Sequence, residues 1–346
     1  MKFPRARRPR HRLLVPAALA ALAALAPGAL AAAPDDLPSP GRGLNLLVVG
    51  VDTREGVTAE EKERFRLGGK ECDCTDVMML VHVSAENDRV DVVGLPRDTL
   101  TSFPHKHRDR RTGKLHTGHP AKLNGAWKEG GSAYAVEIVE SMTGLPVHRY
   151  LEIDFRRFMD TVDRVDGGVP ICTEKALVDP ATGIDLRPGT KAVGGGEALQ
   201  YVRSRKADGQ MDFGRIRKQQ KFVVNTLERL REGILDDPGR LRDLAATLRG
   251  TGAAERGIST TELLTLAARL RDLRPDRTEY ATVPVRGFNP TVAGIGSTVG
   301  LDEEGAAKVF GRLREDLPLP AADEIAPSEV PAATYGPASG ASLICP

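Results

Sequence analysis

Asp212, Arg215 and Gln219 stand at i, i+3 and i+7, so they share one face of the helix that Asp212 opens. They offer a carboxylate, a forked cation and an amide near a helix N-terminus, where unpaired N–H groups and the helix dipole already favour an anion. A solvated helix face with an Asp cap would account for that spacing alone. Further arginines shift the balance. Arg203 and Arg205 alternate after Leu199-Gln200-Tyr201-Val202, so on an extended segment they point the same way, and neighbouring guanidinium forks call for an anion or carboxylates between them. Arg97 lies in the turn Pro96-Arg97-Asp98-Thr99, just past an apolar run. Such a set can grip phosphate.

Two acids complete it. Asp52 follows the apolar run 44–49, and Asp76 precedes the run 77–83. If those runs are antiparallel neighbouring strands, the carboxylates meet at one end of a sheet. Paired carboxylates with few other protein ligands suit Mg2+ (or Mn2+), which keeps its waters and binds pyrophosphate oxygens. Either Asp alone would read as a turn or strand cap.

The elements that must position these residues are short apolar runs alternating with helical patterns, the signature of a sheet with helices on its faces. Residues 44–49, 77–83 and 90–95 read as strands, the first as a buried one, each ending in polar turns where ligand sites gather. Asp154 caps a helix whose Phe155, Phe158, Met159, Val162 and Val165 face a core. Gly167-Gly168-Val169-Pro170-Ile171-Cys172 is a turn and strand. Ile216, Val223, Leu227 and Leu230 form one stripe of the helix from Asp212. Ser259-Thr260-Thr261-Glu262 is a capping box opening a helix to about Leu273, and 278–285 is strand-like.

The chain has 346 residues, 40% of them hydrophobic, enough for a full core. Lys+Arg at 49 against Asp+Glu at 47 leaves a formal charge of +2, which gives no support to nucleic acid as a partner. Lys2, Arg5, Arg7, Arg8, Arg10 and Arg12 precede an Ala/Leu-rich apolar run, 13–33, long enough to span a bilayer of about 30 Å. The reading preferred is a signal anchor with its N-terminus in the cytoplasm, over a signal peptide cleaved near Ala29-Leu30-Ala31. Either way the rest lies outside the cytoplasm. A linker (34–42), a catalytic domain (43–317) and a flexible Pro/Ala-rich tail (318–346) follow. Four cysteines suit an oxidising compartment. A Cys72–Cys74 bridge would close a very small ring, so the expected pairing joins one of these to Cys172 and the other to Cys345.

Taken in order, Asn45-Leu46-Leu47-Val48-Val49-Gly50-Val51-Asp52, Thr75-Asp76-Val77, Leu95-Pro96-Arg97-Asp98-Thr99, Lys122-Leu123-Asn124, Tyr150-Leu151-Glu152-Ile153-Asp154-Phe155, Gly167-Gly168-Val169, Ala198-Leu199-Gln200-Tyr201-Val202-Arg203-Ser204-Arg205 and Asp212-Phe213-Gly214-Arg215-Ile216-Arg217-Lys218-Gln219-Gln220 resemble the LytR-CpsA-Psr family. The resemblance implies a mixed α/β fold, layered α-β-α, with a central mixed or antiparallel sheet, flanking helices and an apolar groove for a polyprenyl chain. It implies a transferase that moves an anionic glycopolymer from polyprenyl pyrophosphate to a peptidoglycan hydroxyl at the cytoplasmic membrane. By the same resemblance Asp52 and Asp76 are the Mg2+ carboxylates. Arg97, Arg203, Arg205 and Arg215, with Gln219 and Asp212, hold the pyrophosphate, Lys122 adds charge, and Asp98 or Asp76 takes the acceptor proton. Two positions depart from the family pattern: Cys74 stands where many relatives carry Arg, and Trp127 where Tyr is common.

A lipid-pyrophosphate hydrolase, or a non-catalytic wall-associated regulatory binding module, would use much the same residues. Teichoic acid, capsule and arabinogalactan all fit as the polymer. His105, His107, His116 and His119 crowd one polar stretch; a solvated basic loop is preferred there to a zinc site, because no carboxylate at a fixed spacing accompanies them.

Overall fold

Strict alternation builds the centre of the molecule. β1 (Leu44–Val51) turns Leu47, Val49 and Val51 to one face and Leu44, Leu46 and Val48 to the other. After α1 (Ala59–Arg64), β2 (Thr75–Val83) runs antiparallel beside β1, and β3 (Val90–Gly94) antiparallel beside β2. Two small ribbons follow. β4 (Leu100–Phe103) pairs with β7 (His119–Lys122), and between them β5 (His107–Arg108) pairs with β6 (Leu115–His116). α2 (Gly125–Thr143) leads to β8 (Arg149–Ile153), parallel to β1.

A second core follows, made from α3 (Phe155–Asp163), β9 (Val169–Thr173), β10 (Leu177–Asp179), β11 (Ile184–Leu186), β12 (Gly189–Val193) and α4 (Gly195–Arg203). Three more helices, α5 (Met211–Gly233), α6 (Pro238–Arg249) and α7 (Thr260–Arg269), precede β13 (Thr278–Thr282), which is parallel to β3. The hairpin β14 (Val285–Val292) and β15 (Gly296–Leu301) leads to α8 (Glu303–Arg314), β16 (Ala338–Ser339) and α9 (Gly340–Leu343).

The main sheet has the order β16-β13-β3-β2-β1-β8 and is mixed, as expected. One face packs Leu47, Met78, Leu80 and Val93 against Ile138 of α2 and Val309 and Phe310 of α8. The other packs Met79, Val83 and Val92 against Val224 of α5 and Leu266 of α7. This is the α-β-α layering. Asp154 caps α3 by accepting from Arg157 N at 2.8 Å, and Ser259 and Glu262 form the capping box of α7.

The computed structural model describes residues 43–69, 74–104, 106–110, 112–205, 211–250, 256–325 and 335–346. The expected anchor (1–33) and linker (34–42), together with Cys72 and His105, lie outside them. No helix among the described residues is long and apolar enough to cross a membrane.

Two expectations need correcting. The described part of the C-terminal tail is integrated in the fold: Leu319, Ile325 and Tyr335 are buried in the main core, Tyr335 Oη donates to Pro320 O at 2.7 Å, and β16 pairs with β13. Apolar residues spaced among the prolines supply the burial that composition hid. The disulfide pairing also differs, because Cys172 is bonded to Cys345, with Cα atoms 5.5 Å apart. Asn225 sets that contact, donating to Leu343 O at 3.0 Å and accepting from Cys345 N at 2.8 Å, so the C-terminus is carried to β9. Cys74 is disulfide-bonded as well, and is therefore joined to neither Cys172 nor Cys345.

Candidate functional site

Antiparallel pairing of β1 and β2 sets Val51 opposite Thr75, so Asp52 and Asp76 do emerge at the same end of the sheet. Beyond β3, Pro96 O accepts from both Thr99 N (3.0 Å) and Thr99 Oγ1 (2.7 Å), which closes the turn bearing Arg97 and Asp98. Asn124 N donates to Arg97 O and Val299 N to Asp98 O, so the turn is held from both sides. α5 reaches the same edge because Gly94 has no side chain: a Cβ there would stand 2.6 Å from Ile216 Cγ2. That close approach delivers Arg215.

Arg97, Arg205 and Arg215 converge with Asp76 and Asp212. Arg97 pairs with Asp76 in a short contact and stands 3.5 Å from Asp212 and 3.6 Å from Asp98. Asp212 also receives Arg205 Nε at 2.8 Å and Arg215 Nη2 at 3.4 Å, and Arg215 Nη1 lies 3.6 Å from Asp76. Lys122 Nζ contacts Asp98 at 3.1 Å. Asp212 therefore orders three guanidinium groups; a carboxylate there cannot itself attract phosphate. Gln219 Nε2 donates to Val202 O at 3.1 Å, tying α5 to the end of α4.

Electrostatics follow from burial. Desolvation opposes ionisation of Asp76, but Arg215, Arg97 and Arg205 outweigh it and hold the carboxyl below its ordinary range. Burial pulls the Arg215 guanidinium down to about 10, against Asp212 and Asp76. Arg97 moves the other way, because Asp76, Asp212 and Asp98 overcome its desolvation. Arg97 Nε, Arg203 Nη1 and Arg215 Nε are buried without a hydrogen-bond partner. Buried donors are normally satisfied, and three guanidinium groups with unsatisfied donors at one edge fit an anion.

The expected extended arm carrying Arg203 and Arg205 is not extended. Ala198, Leu199 and Val202 bury one helical face, so Arg203 is the last residue of α4 and Ser204 its cap. The two arginines diverge in consequence. Arg205 turns to Asp212, while Arg203 lies over the Phe155 ring, 5.1 Å from its centroid. Arg203, Arg215, Asp76 and Gln219 also line an open cleft of about 720 Å³, whose other walls include Val48, Met79, Phe158, Leu199, Phe222 and Val223. An apolar cleft thus abuts the guanidinium cluster.

Asp52 is clasped by a residue that the sequence reading missed. Arg54 Nε and Nη2 bind its two oxygens at 2.8 and 3.0 Å, and Arg54 Nη1 also donates to Gly68 O and Gly69 O. The signal was there, an arginine two residues past the acid at a strand end. The donors nonetheless fit a hard divalent ion. Asp76 is held ionised, Asp52 emerges beside it, and the buried Thr75 Oγ1 on the same strand end lacks a partner. A metal at Asp52 would share or replace the Arg54 contact.

Of the two departures, Cys74 uses its carbonyl to accept from Asp52 N at 3.2 Å, and Trp127 Nε1 donates to Glu152 at 2.7 Å beneath the Arg110 guanidinium.

The LytR_cpsA_psr family model matches residues 33–315. The chain is 28% identical over 267 residues to the cell wall biosynthesis protein LcpA of Corynebacterium glutamicum, covering 71% of this chain and 51% of LcpA. To the probable cell wall biosynthesis protein LcpB of the same organism it is 30% identical over 274 residues, 79% of this chain and 61% of LcpB. It thus spans roughly half to three-fifths of the length of these relatives. TagV of Bacillus subtilis, named a polyisoprenyl-teichoic acid–peptidoglycan teichoic acid transferase, is 33% identical over 158 residues, 44% of this chain and 38% of TagV. The crystal structure of TagV has the same fold, with a TM-score of 0.60 at 21% identity over 80% of this chain and 98% of that one. With the family pattern matched across the sheet, the arginine-bearing turns and α5, the chain belongs to the LytR-CpsA-Psr family.

Proposed function

We propose that the protein is an extracytoplasmic phosphotransferase that moves a glycopolymer from a polyprenyl pyrophosphate carrier to a peptidoglycan hydroxyl. The observation that carries this reading is the junction of an apolar cleft with a cluster of four arginines, three of which, Arg97, Arg203 and Arg215, keep buried N–H groups without partners. A lipid diphosphate has that same division, an apolar chain joined to a charged head. The names of the relatives, a teichoic acid transferase and cell wall biosynthesis proteins, support it.

Phosphoryl transfer asks a protein for charge neutralisation and positioning more than for a nucleophile of its own. The prenyl chain lies in the cleft, and Arg97, Arg203, Arg205 and Arg215 hold the pyrophosphate oxygens. Lys122 and Asp98 face the acceptor side. The acceptor oxygen forms a bond to the phosphorus that carries the glycan while the bond from that phosphorus to the bridging oxygen breaks. Polyprenyl monophosphate leaves with the bridging oxygen. The acceptor proton passes to Asp98, because Asp76 is held ionised by its arginines and is a poor proton acceptor. Asp52 and Asp76 would hold Mg2+ or Mn2+, which when bound neutralises pyrophosphate charge. The N-terminal apolar run anchors the enzyme in the membrane that supplies the lipid.

Labelled lipid-linked glycan supplied with and without peptidoglycan tests the reading. Product only with acceptor is expected; release of glycan phosphate at the same rate without acceptor would make the enzyme a hydrolase.

A further inference from the structure

We propose a transition-metal site, of the Zn2+ class, formed by His107, His116, His119 and Glu129. The two small ribbons set His107 opposite His116 in register and His119 opposite Phe103. The carboxylate that the sequence pattern did not reveal comes from α2. Gly131, with φ +75°, breaks α2 after its first turns, so Glu129 sits on the segment nearest the ribbons. Its Oε2 lies 2.8 Å from His107 Nε2, 3.4 Å from His119 Nε2 and 4.0 Å from His116 Nδ1. Ligand atoms of His107, His116 and Glu129 all fall within 4.8 Å of one another. Tetrahedral Zn2+ with bonds of about 2.1 Å places its ligand atoms roughly 3.4 Å apart, so small side-chain shifts would close the shell.

One detail calls for positive charge inside this cluster. His119 Nδ1 lies 2.9 Å from Thr117 O, a contact that requires the proton on Nδ1. In a neutral ring the Nε2 lone pair then faces the Glu129 carboxylate oxygen. Two lone pairs at that distance repel unless a positive charge, a metal ion or a second ring proton, lies between them. Metal-bound histidines commonly donate their second nitrogen to a carbonyl in this way. The walls are partly apolar, since His107 stacks on Tyr134 at 4.2 Å and His119 meets the edge of Phe103 at 5.4 Å. Three imidazoles and one carboxylate select a borderline ion over Mg2+. The ion would clip both ribbons to α2, and the β4–β7 ribbon ends at Lys122, beside Asp98. The site is separate from Asp52 and Asp76 and does not depend on the proposed reaction.

The test uses the full chain, stripped with a chelator and then equilibrated with zinc alone or cobalt alone. About one Zn2+ per chain is expected by elemental analysis, with visible Co2+ bands of tetrahedral intensity. The double variant His116→Ala/His119→Ala, with both rings partly exposed, should weaken retention by at least about a hundredfold while keeping the wild-type circular dichroism. Glu129→Gln should weaken it too, and Asp52→Asn/Asp76→Asn should still bind one ion. Failure of the wild type to retain zinc overturns the proposal. So does retention unchanged in the His116/His119 variant, or lost only in the Asp52/Asp76 variant.

Discussion

The Arg203 guanidinium lies across the ring of Phe155, and its buried Nη1 has no hydrogen-bond partner. Desolvation lowers its basicity, with Asp52 and Asp76 only partly restoring it. An unsatisfied buried donor costs about 1–3 kcal/mol, so Arg203 taxes the fold and gains its return only when an anion arrives. Arg203→Met should therefore keep or slightly raise the melting temperature while slowing transfer by at least about a hundredfold. Thermal unfolding measured beside single-turnover transfer checks this. A variant that melts earlier and transfers normally would make Arg203 a structural cation.

Asp98 and Asp76 should separate by what they abolish. Asp98 touches Lys122 and Arg97, whereas Asp76 anchors Arg97 and Arg215. Asp98→Asn is expected to bind lipid pyrophosphate normally and to lose about 10²–10⁴ in rate, the range of a missing proton acceptor. Asp76→Asn should weaken binding itself, because two guanidinium groups lose their hold. Titrating a fluorescent lipid against both variants distinguishes them; equal binding loss in each would remove Asp98 from the proton-accepting role.

The strands and their polar ends were legible because period-two burial and polar turns leave direct marks: residues 44–49 proved an interior strand and Asp52 and Asp76 emerged together. What stayed hidden depended on distance along the chain. Asp212 attracts Arg97 from 115 positions away, beside its local partner Arg215. Alternating arginines at 203 and 205 suggested an arm, but the burial of Ala198, Leu199 and Val202 made a helix and sent the two apart. Glu129 belongs to a helix and the histidines to ribbons, so no local spacing could join them. Proline content likewise masked how far the C-terminus is buried.

Reducing the Cys172–Cys345 bond should destabilise the whole fold. The cysteines are 173 positions apart, and closing so long a loop limits the unfolded chain by an amount that the entropy model puts at about 5 kcal/mol. Cys345→Ser should lower the unfolding free energy by about 2–5 kcal/mol and loosen β16 and α9 first, since both lie just before it. Urea unfolding and hydrogen exchange of residues 338–343 read these effects. Midpoints unchanged in the variant would mean that Asn225 alone secures the C-terminus.

Asp91 makes stability fall as pH rises towards neutrality. It is fully buried on β3 across from His82, with Arg89 Nε at 2.9 Å from Oδ2 and Oδ1 left without a partner. Burial pushes its pKa up to about 7 from 3.8, and Arg89 offsets only part of that rise. Between those values the folded carboxyl keeps a proton that the unfolded one has released. The folded state thus binds more protons, and its stability declines across that interval. The group's contribution is complete below pH 3.8 and is lost as pH passes through about 7. Each unit of elevation is worth about 1.4 kcal/mol. Asp91→Asn keeps the shape and abolishes the titration, so its advantage over the wild type should grow as pH rises from about 3.8 to about 7 and level off above that. Urea midpoints at several pH values give the comparison directly, and parallel profiles would show that Asp91 is ionised throughout, with Arg89 carrying its charge.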